Sequence, residues 1–140
     1  MEEISINIKL MRTFRRLGSL IDAKATPFRG RGRIMNILRK EESKSIVQRD
    51  LLDMTQMKSS SLSELVKKLE DDGFITKSID PSDKRNMILT LTPEGEAEAF
   101  RMQQVREQIA DKAFSRITNE EKNVLLEILT KLRDYWEENL

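Results

Sequence analysis

The sequence predicts a mainly α-helical (α+β) fold, in which a winged helix-turn-helix is flanked by N- and C-terminal dimerisation helices. Charged residues make up 35% of the 140 residues and aromatic residues only 5%, a composition that favours helices packed through Leu, Ile and Met over a sheet sandwich. Apolar residues recur every three or four positions over most of the chain, as they do on one face of a helix. Two short runs, "FITKSI" and "NMILTLT", instead predict a single β-hairpin.

The composition excludes several classes of function. The chain contains no Cys and no His, so disulfides, zinc sites with Cys ligands, His-ligated metals and catalysis through His are excluded. No paired acids converge on an apolar face, and we therefore expect no enzyme, no metal and no cofactor. The N-terminus opens with two acids, and no apolar stretch approaches the roughly 18 residues that span a bilayer. We expect a cytoplasmic protein without a membrane partner.

Residues 1–33 are predicted to form a dimerisation helix and a basic loop. From about Ile4 to Ala23 the apolar residues follow helical spacing. They include Leu10, Met11, Phe14, Leu17 and Ile21. The next segment, "TPFRGRGR" (residues 26–33), contains a Pro and two Gly, which predict that the helix ends there. Its basic part, Arg29 to Arg33, has three open interpretations: a phosphate contact, a site for an anionic effector, or a solvated loop, which we favour.

Residues 34–92 are predicted to form the DNA-binding lobe. A short helix over residues 34–39 leads into the loop "ESKS", where Ser45 would cap a helix that begins near Ile46. The apolar residues of that helix are Val47, Leu51 and Met54. After a polar break, a longer helix ends at Gly73, which suits a left-handed C-terminal cap. Two helices joined by a tight turn match the helix-turn-helix arrangement.

The longer helix supplies candidate DNA contacts. Its apolar face is formed by Leu62, Leu65, Val66 and Leu69. The opposite face carries small hydroxyl groups and Lys, which suit phosphates and base edges in a DNA groove. We therefore predict DNA contacts from Ser59, Ser60, Ser61, Ser63, Lys67 and Lys68. The alternative is that the Ser run only caps the helix. Glu64, on the same face, would either accept a hydrogen bond from cytosine N4 or cap backward to Ser61.

The hairpin is predicted to be a wing with a five- or six-residue tip, "DPSDKR" (Asp80 to Arg85). An isolated turn of this composition would simply be solvated. A hairpin directly after a helix-turn-helix can instead place Lys84 or Arg85 in a minor groove, whose negative potential attracts Arg. Asp83 is predicted to orient the Arg85 guanidinium, whereas Asp80 belongs to the turn. The predicted DNA contacts of the wing are Asp83, Lys84 and Arg85.

Residues 93–140 are predicted to form two C-terminal dimerisation helices. Thr92 can cap the first helix, and Pro93 suits its first position. The apolar residues of this helix are Phe100, Val105, Ile109, Phe114 and Ile117. A capping box, "TNEE" (residues 118–121), begins the second helix. The apolar residues of the second helix are Val124, Leu125, Ile128, Leu129, Leu132 and Trp136.

The three long helices outside the lobe, together with their charges, predict a homodimer. Their apolar faces exceed what a small lobe needs for its own core, so a second copy is the better partner. Residues 4–33 contain eight Lys or Arg and one Asp, whereas residues 93–140 contain seven bases and eleven acids. Opposite charges favour a contact between the two ends, either within one chain or across a dimer.

The segment from Ser45 to Gly95 resembles the winged helix of the MarR (multiple antibiotic resistance regulator) family. The resemblance lies in "QRDLLDMTQMKSSSLSELVKKLEDDGFI" and, more specifically, in "DPSDKRNMILTLTPEG", which is similar to that family's Asp–Arg wing followed by Leu-Thr-x-x-Gly. The whole chain also has the family's length and order of elements. It departs from the family pattern at Lys58, where a Ser or Thr helix cap is common, and in the basic "RGRGR" segment.

The resemblance implies a homodimer that binds an operator in double-stranded DNA. Each lobe would place the helix over residues 59–72 in a major groove and the wing in the flanking minor groove, with the family's wing Asp and Arg at Asp83 and Arg85. It also implies a ligand-responsive transcriptional repressor that a small aromatic or anionic effector releases, and no ligand-binding residue is predicted. The alternative is a winged-helix dimer that binds other proteins rather than DNA.

Overall fold

The computed structural model describes residues 2–139, apart from the side chains at positions 26 and 27. These residues form α1 (Ile6–Arg29), α2 (Arg31–Lys40), β1 (Ser45–Val47), α3 (Gln48–Thr55), α4 (Ser59–Asp71), β2 (Ile75–Asp80), β3 (Asp83–Leu91), α5 (Pro93–Ala113) and α6 (Asn119–Asn139). The predicted mainly helical α+β fold is confirmed. Across the described residues, no helix combines the length and the apolar composition that a membrane crossing requires.

The N-terminal helix is longer than the sequence predicts. Ser5 caps it by accepting a hydrogen bond from a backbone N–H of the first turn (3.3 Å), and α1 then continues to Arg29. The predicted loop over residues 26–33 is therefore wrong. A proline removes only one helical hydrogen bond, and the chain leaves helical dihedral angles at Gly30 (φ −92°, ψ −101°). The second helix begins at the next residue instead of at Ile34.

A short strand, β1, stands where the sequence predicts the start of a helix. It pairs antiparallel with β3, with Ser45 opposite Thr90 and Val47 opposite Ile88. The hydroxyl groups of Ser45 and Thr90 are 2.7 Å apart. The prediction that Ser45 caps a helix is therefore wrong, and α3 begins at Gln48. The pairing extends the hairpin to a three-stranded sheet in the order β1-β3-β2.

One apolar core joins α2, α3 and α4 to the sheet. Its fully buried side chains are Ile34, Met35, Leu38, Leu51, Leu62, Val66, Leu69, Ile75 and Leu89. Each of them contributes about 1.5–3 kcal/mol relative to an exposed position. Met54 departs from the prediction, because its side chain is 50% exposed and Leu51 and Thr55 are the buried residues of α3. The core fixes one face of α4 and leaves the opposite face outside.

The junction between β3 and α5 depends on Thr92 and Gly95. The Thr92 hydroxyl accepts a hydrogen bond from the Gly95 N–H (3.0 Å) and donates one to the Gly73 carbonyl (2.7 Å). The predicted helix cap is thus confirmed. A Cβ at Gly95 would overlap the carbonyl oxygen of Phe74, so this close approach requires Gly. The predicted left-handed cap at Gly73 is also confirmed by its φ of 78°.

The described chain forms two compact units, which divide inside α5 after Gln104. The second unit contains the end of α5, a turn and α6. The predicted capping box is confirmed: the Glu121 N–H donates to the Thr118 hydroxyl (3.1 Å), and the Thr118 N–H donates to the Glu121 carboxylate (3.0 Å). The helix α5 ends before Phe114 and Ile117, which the sequence assigns to it.

Candidate nucleic-acid interface

The exposed face of α4 carries the residues that the sequence predicts to contact DNA. Leu62, Val66 and Leu69 are buried in the core of the lobe. The exposed residues of the helix include Ser59, Ser60, Ser61, Ser63, Lys67 and Lys68. The predicted division of this helix into an apolar and a polar face is confirmed, and the polar face offers hydroxyl groups and positive charge to a partner.

The first turn of α4 can hold an anion through its backbone. The helix begins at Ser59, and the residue before it, Lys58, forms no side-chain cap hydrogen bond. The turn contains no acidic residue, so its N–H groups and the positive end of the helix dipole are open to a negatively charged group. The consecutive Ser hydroxyls add further donors.

Glu64 is the acidic side chain in the N-terminal half of this face. The prediction that it caps backward to Ser61 is wrong, because α4 begins before Ser61, at Ser59. Its carboxylate pairs with Lys68 Nζ at 3.8 Å, too far for a hydrogen bond. Lone pairs therefore remain for a donor such as the cytosine amino group. Within residues 2–139, no three Asp or Glu cluster as metal ligands would.

A left-handed residue sets the angle between α3 and α4. Gln56 has φ 56° and ψ 23°, a conformation that costs a residue other than Gly about 1–2 kcal/mol. Its backbone N–H donates to the Leu52 carbonyl (3.0 Å), and its side-chain amide donates to the Asp53 carbonyl (2.7 Å). These local hydrogen bonds offset the cost and hold the tight turn of the helix-turn-helix.

The wing is tighter than the sequence predicts. Only Pro81 and Ser82 lie between β2 and β3, because Asp83 already pairs with Asp80 in the sheet. The predicted tip of five or six residues is therefore wrong. The Asp80 carboxylate accepts hydrogen bonds from the Ser82 hydroxyl (2.7 Å) and the Ser82 N–H (2.9 Å), and these bonds lower the pKa of Asp80. The turn role predicted for Asp80 is confirmed.

Asp83 holds the Arg85 guanidinium in a bidentate contact. Arg85 Nε donates to Asp83 Oδ1 (3.0 Å) and Nη2 donates to Oδ2 (3.1 Å). The hydrogen bonds from Arg85 lower the pKa of the Asp83 carboxyl, and the same contact raises the pKa of Arg85. The Arg85 side chain is nevertheless 84% exposed, and its Nη1 makes no hydrogen bond within the described chain. The predicted contact between the Asp83 carboxylate and the Arg85 guanidinium is confirmed.

Two more cations lie close to this pair. Lys84 is exposed and forms no ion pair with any residue between positions 2 and 139. Arg49, in the first turn of α3, makes a smaller contribution than Arg85 to the lowered pKa of Asp83, so its charge lies within electrostatic reach of the wing. The sequence did not single out Arg49, because nothing local relates α3 to a hairpin so much later in the chain.

The basic segment between α1 and α2 contacts protein groups. Arg29 pairs with an Asp of its own helix at 3.3 Å. Arg31 pairs with Asp72, the C-cap residue of α4, at 2.5 Å. Arg33 donates to the Thr55 carbonyl at the end of α3 (3.2 Å). The favoured interpretation of this segment as a solvated loop is therefore wrong. Sequence reasoning missed these contacts, since their partners lie in distant segments.

Known proteins match this chain in sequence. The model of the MarR family matches residues 29–87. The uncharacterized HTH-type transcriptional regulator YwhA of Bacillus subtilis (strain 168) is 34% identical over 102 residues, which cover 73% of this chain and 72% of YwhA. The region that the family model matches, residues 29–87, contains the helix-turn-helix and most of the wing.

Solved structures share the fold. Sco3205, a MarR family transcriptional regulator from Streptomyces coelicolor in complex with DNA, matches with a TM-score of 0.72 at 22% identity, over 96% of this chain and 90% of Sco3205. The PcaV transcriptional regulator from the same organism, in complex with its natural ligand, matches with a TM-score of 0.69 at 20% identity, over 96% and 98% of the two chains. These matches confirm the predicted winged helix-turn-helix fold.

Proposed function

The chain belongs to the MarR family of transcriptional regulators, and from this membership we propose that it binds pseudo-palindromic double-stranded DNA as a homodimer. The bound dimer would repress nearby genes until a small aromatic or anionic effector releases it. One observation carries the DNA-binding proposal. The same lobe presents an uncapped, Ser-rich start of α4 and a wing whose braced Arg85 is 84% exposed.

The polar face of α4 suits a major groove. A helix with its side chains is about 10–12 Å wide, and the major groove of B-DNA is about 12 Å wide. Residues 59–61 would bind phosphates through hydroxyl and backbone N–H groups, and Ser63 would reach base edges. Lys67 and Lys68 would each neutralise about one phosphate.

The wing suits the flanking minor groove. Arg85 and Lys84 would supply the positive charge that a narrow minor groove attracts. Asp83 would contribute by fixing the guanidinium, so that less freedom is lost when Arg85 enters the groove. An Arg already held in one geometry binds with a smaller entropic cost than a free one.

A homodimer would cover the apolar side chains that α1 and α6 expose. On α1 these side chains include Leu10, Met11, Phe14, Leu17 and Ile21. On α6 they include Val124, Ile128, Leu129, Leu132 and Trp136. The helix α1 carries six bases and one acid, whereas α6 carries six acids and three bases, so opposite charges favour their association between copies. We assign residues 1–33 and 93–140 to dimerisation and residues 34–92 to DNA binding.

The effector is proposed from the family and from PcaV, whose solved structure contains its natural ligand. A ligand releases DNA only if it binds more tightly to the DNA-free arrangement of the dimer than to the bound one. The effector would therefore act by changing how the two lobes are set relative to each other.

Genome-wide mapping of the DNA that the protein binds in its own cell tests the proposal. We expect a small number of strong sites that contain an inverted repeat, with half-sites about 10 base pairs apart from centre to centre. Deleting the gene should raise transcription next to those sites. Failure of the purified protein to retain any duplex, even at low salt, would contradict DNA binding and favour the protein-binding alternative.

A further inference from the structure

The first turn of α2 makes contacts that DNA binding does not itself explain. This turn follows α1 after a single residue, Gly30, so it is tied closely to the N-terminal helix. It contains Arg31 and Arg33, which we call the arginine clamp. The two side chains contact the ends of the two helices that form the helix-turn-helix.

Arg31 holds the C-terminal end of α4. Its Nη2 donates to Asp72 Oδ2 at 2.5 Å, and Asp72 is the C-cap residue that follows the last residue of the helix. The guanidinium also lies 5.5 Å from the centre of the Phe74 ring, a favourable position for a cation. Phe74 in turn donates its N–H to the Leu69 carbonyl (2.9 Å). Arg31 is therefore bound at the point where α4 passes into β2.

Arg33 holds the C-terminal end of α3. Its Nη1 donates to the Thr55 carbonyl at 3.2 Å, and its Nη2 lies 3.5 Å from the Met54 carbonyl. The last carbonyls of a helix have no partner inside the helix, and a cation beside them also complements the negative end of the dipole. Thr55 is buried and immediately precedes the left-handed Gln56. Arg33 therefore acts on the turn that joins α3 to α4.

We propose that Arg31 and Arg33 are positioning residues for DNA binding, which fix both helices of the helix-turn-helix to the start of α2. The position of α4 then follows the position of α1. This inference rests on the proposed function, because it concerns a dimer that presents two copies of α4 to two half-sites. In such a dimer, joined through α1, the clamp sets the distance and the angle between the two α4 helices.

Arg31 acts at the C-terminal end of α4, whereas the proposed DNA contacts of Ser59 to Ser63 lie at its N-terminal end. Over the 13 residues of this helix, a rotation of about 10° at the C-terminal end moves Ser59 by about 3 Å, which is roughly the rise of one base pair. Exposed ion pairs add little to folding stability, but the planar guanidinium constrains geometry strongly. Loss of the clamp should therefore strongly reduce the difference in affinity between duplexes of different half-site spacing. It should change the free energy of unfolding only slightly.

Binding to duplexes of altered half-site spacing tests this inference. The probe is an inverted-repeat duplex that the wild-type protein selects from random DNA, with zero, one or two base pairs inserted at its centre. Each insertion rotates the half-sites by about 34° and separates them by about 3.4 Å, so two insertions should weaken wild-type binding by about 100-fold. Arg31→Met and Arg33→Met should bind the original duplex about tenfold more weakly than the wild-type protein does. Inserting two base pairs should then weaken the binding of each variant by at most about a further fivefold.

Two further variants control the experiment. Arg29→Met removes a guanidinium from the same segment, but the partner of Arg29 belongs to α1 itself. The loss of affinity on insertion of base pairs, which we call the spacing penalty, should therefore be the same for this variant as for the wild type. Asp72→Asn weakens the Arg31 contact and leaves the guanidinium over Phe74, so its spacing penalty should be intermediate. If Arg31→Met shows no cooperative thermal unfolding, Asp72→Asn and Arg33→Met decide the result.

A merely structural role would give a different pattern. The clamp variants would then melt earlier and bind every duplex more weakly by the same factor, with the wild-type spacing penalty unchanged. That result would overturn the inference while leaving the proposed function in place. If the wild-type protein selects no duplex at all, the proposed function fails, and the inference fails with it.

Discussion

Two arginine–aspartate pairs share their chemistry and differ in their surroundings. In the wing, Arg85 pairs with Asp83, two residues away, and its side chain is 84% exposed. At the start of α2, Arg31 pairs with Asp72, the C-cap residue of α4, and its side chain is 39% exposed and lies over an aromatic ring. On the proposed function, the wing pair would present a cation to DNA, whereas the Arg31–Asp72 pair joins two elements of the fold.

An ion pair does not by itself indicate a role. The separation of the partners along the chain and the exposure of the cation decide what the pair does. A local, exposed pair adds little to stability but can pre-orient a binding group. A distant, partly covered pair restricts how two helices lie relative to each other.

The largest expected effect is on folding stability at Gly95, which touches Phe74, the residue that the Arg31 guanidinium covers. Gly95→Ala places a Cβ where the Phe74 carbonyl oxygen lies, so the start of β2 must shift. We expect a loss of about 3 kcal/mol in the free energy of unfolding, measured by urea titration with circular dichroism. Glu94→Ala, an exposed change in the same helical turn, should cost less than about 1 kcal/mol. Equal losses for both variants would contradict the close-approach argument.

The wing pair, Arg85 and Asp83, should affect the affinity for DNA and leave the stability of the fold unchanged. Arg85→Ala should weaken operator binding by about 1–3 kcal/mol, which is about 5- to 150-fold, in a mobility-shift titration. Its melting temperature should stay close to that of the wild type, since within residues 2–139 the hydrogen bonds and the ion pair of Arg85 all involve Asp83 of the same hairpin. Arg133→Ala removes another exposed arginine that pairs locally, with Asp134 on α6, and should leave affinity unchanged. An Arg85→Ala variant that melts earlier but binds normally would reverse the assignment.

Lysines of α4 should show a smaller effect, which depends on whether they are paired. Lys67 forms no ion pair within the described residues, whereas Lys68 lies 3.8 Å from Glu64. Lys67→Ala should flatten the dependence of log affinity on log salt by about one unit, and Lys68→Ala by less. Lys131→Ala on α6 serves as the control. A wild-type slope for Lys67→Ala would leave this lysine as a surface charge without a phosphate partner.

The smallest expected effect is the response of the wing to pH. Because the pKa of Asp83 is lower in the folded chain than the ordinary value of 3.8, the stability that the pair adds is present above that value and is lost as the pH falls through the folded pKa. The NMR signal of the Arg85 Nε–H should therefore stay constant from pH 7 to pH 5. A shift of this signal between pH 7 and pH 5 that is absent from the Asp83→Asn variant would show that the Asp83–Arg85 contact is lost at a higher pH than the lowered pKa of Asp83 allows.

The features that the sequence predicts correctly are local ones. The Asp83–Arg85 contact, the Thr92 cap and the capping box over residues 118–121 each join groups within three residues of one another. The apolar face of α4 follows from helical spacing in the same way. Interactions of this range depend on residue types and spacing alone, and both can be read without knowing the fold.

The features that the sequence does not predict join distant segments. The strand β1 exists because Ser45 and its neighbours pair with β3, and a three-residue strand has too short a pattern to be recognised. The contacts of Arg31 and Arg33 span 41 and 22 residues. They stabilise a helix over a segment whose Gly content predicts a loop, so tertiary contacts overrode local preference there.

Hydroxyl-radical footprinting tests most directly whether Arg85 of the wing contacts DNA. The probe is the inverted-repeat duplex that the wild-type protein selects from random DNA. The wild-type protein should protect the backbone around the major groove that holds α4 and also the minor-groove sugars that flank each half-site. The Arg85→Ala variant, at a concentration that saturates the duplex, should lose only the flanking protection. Identical footprints for the two proteins would contradict a wing that reads the minor groove.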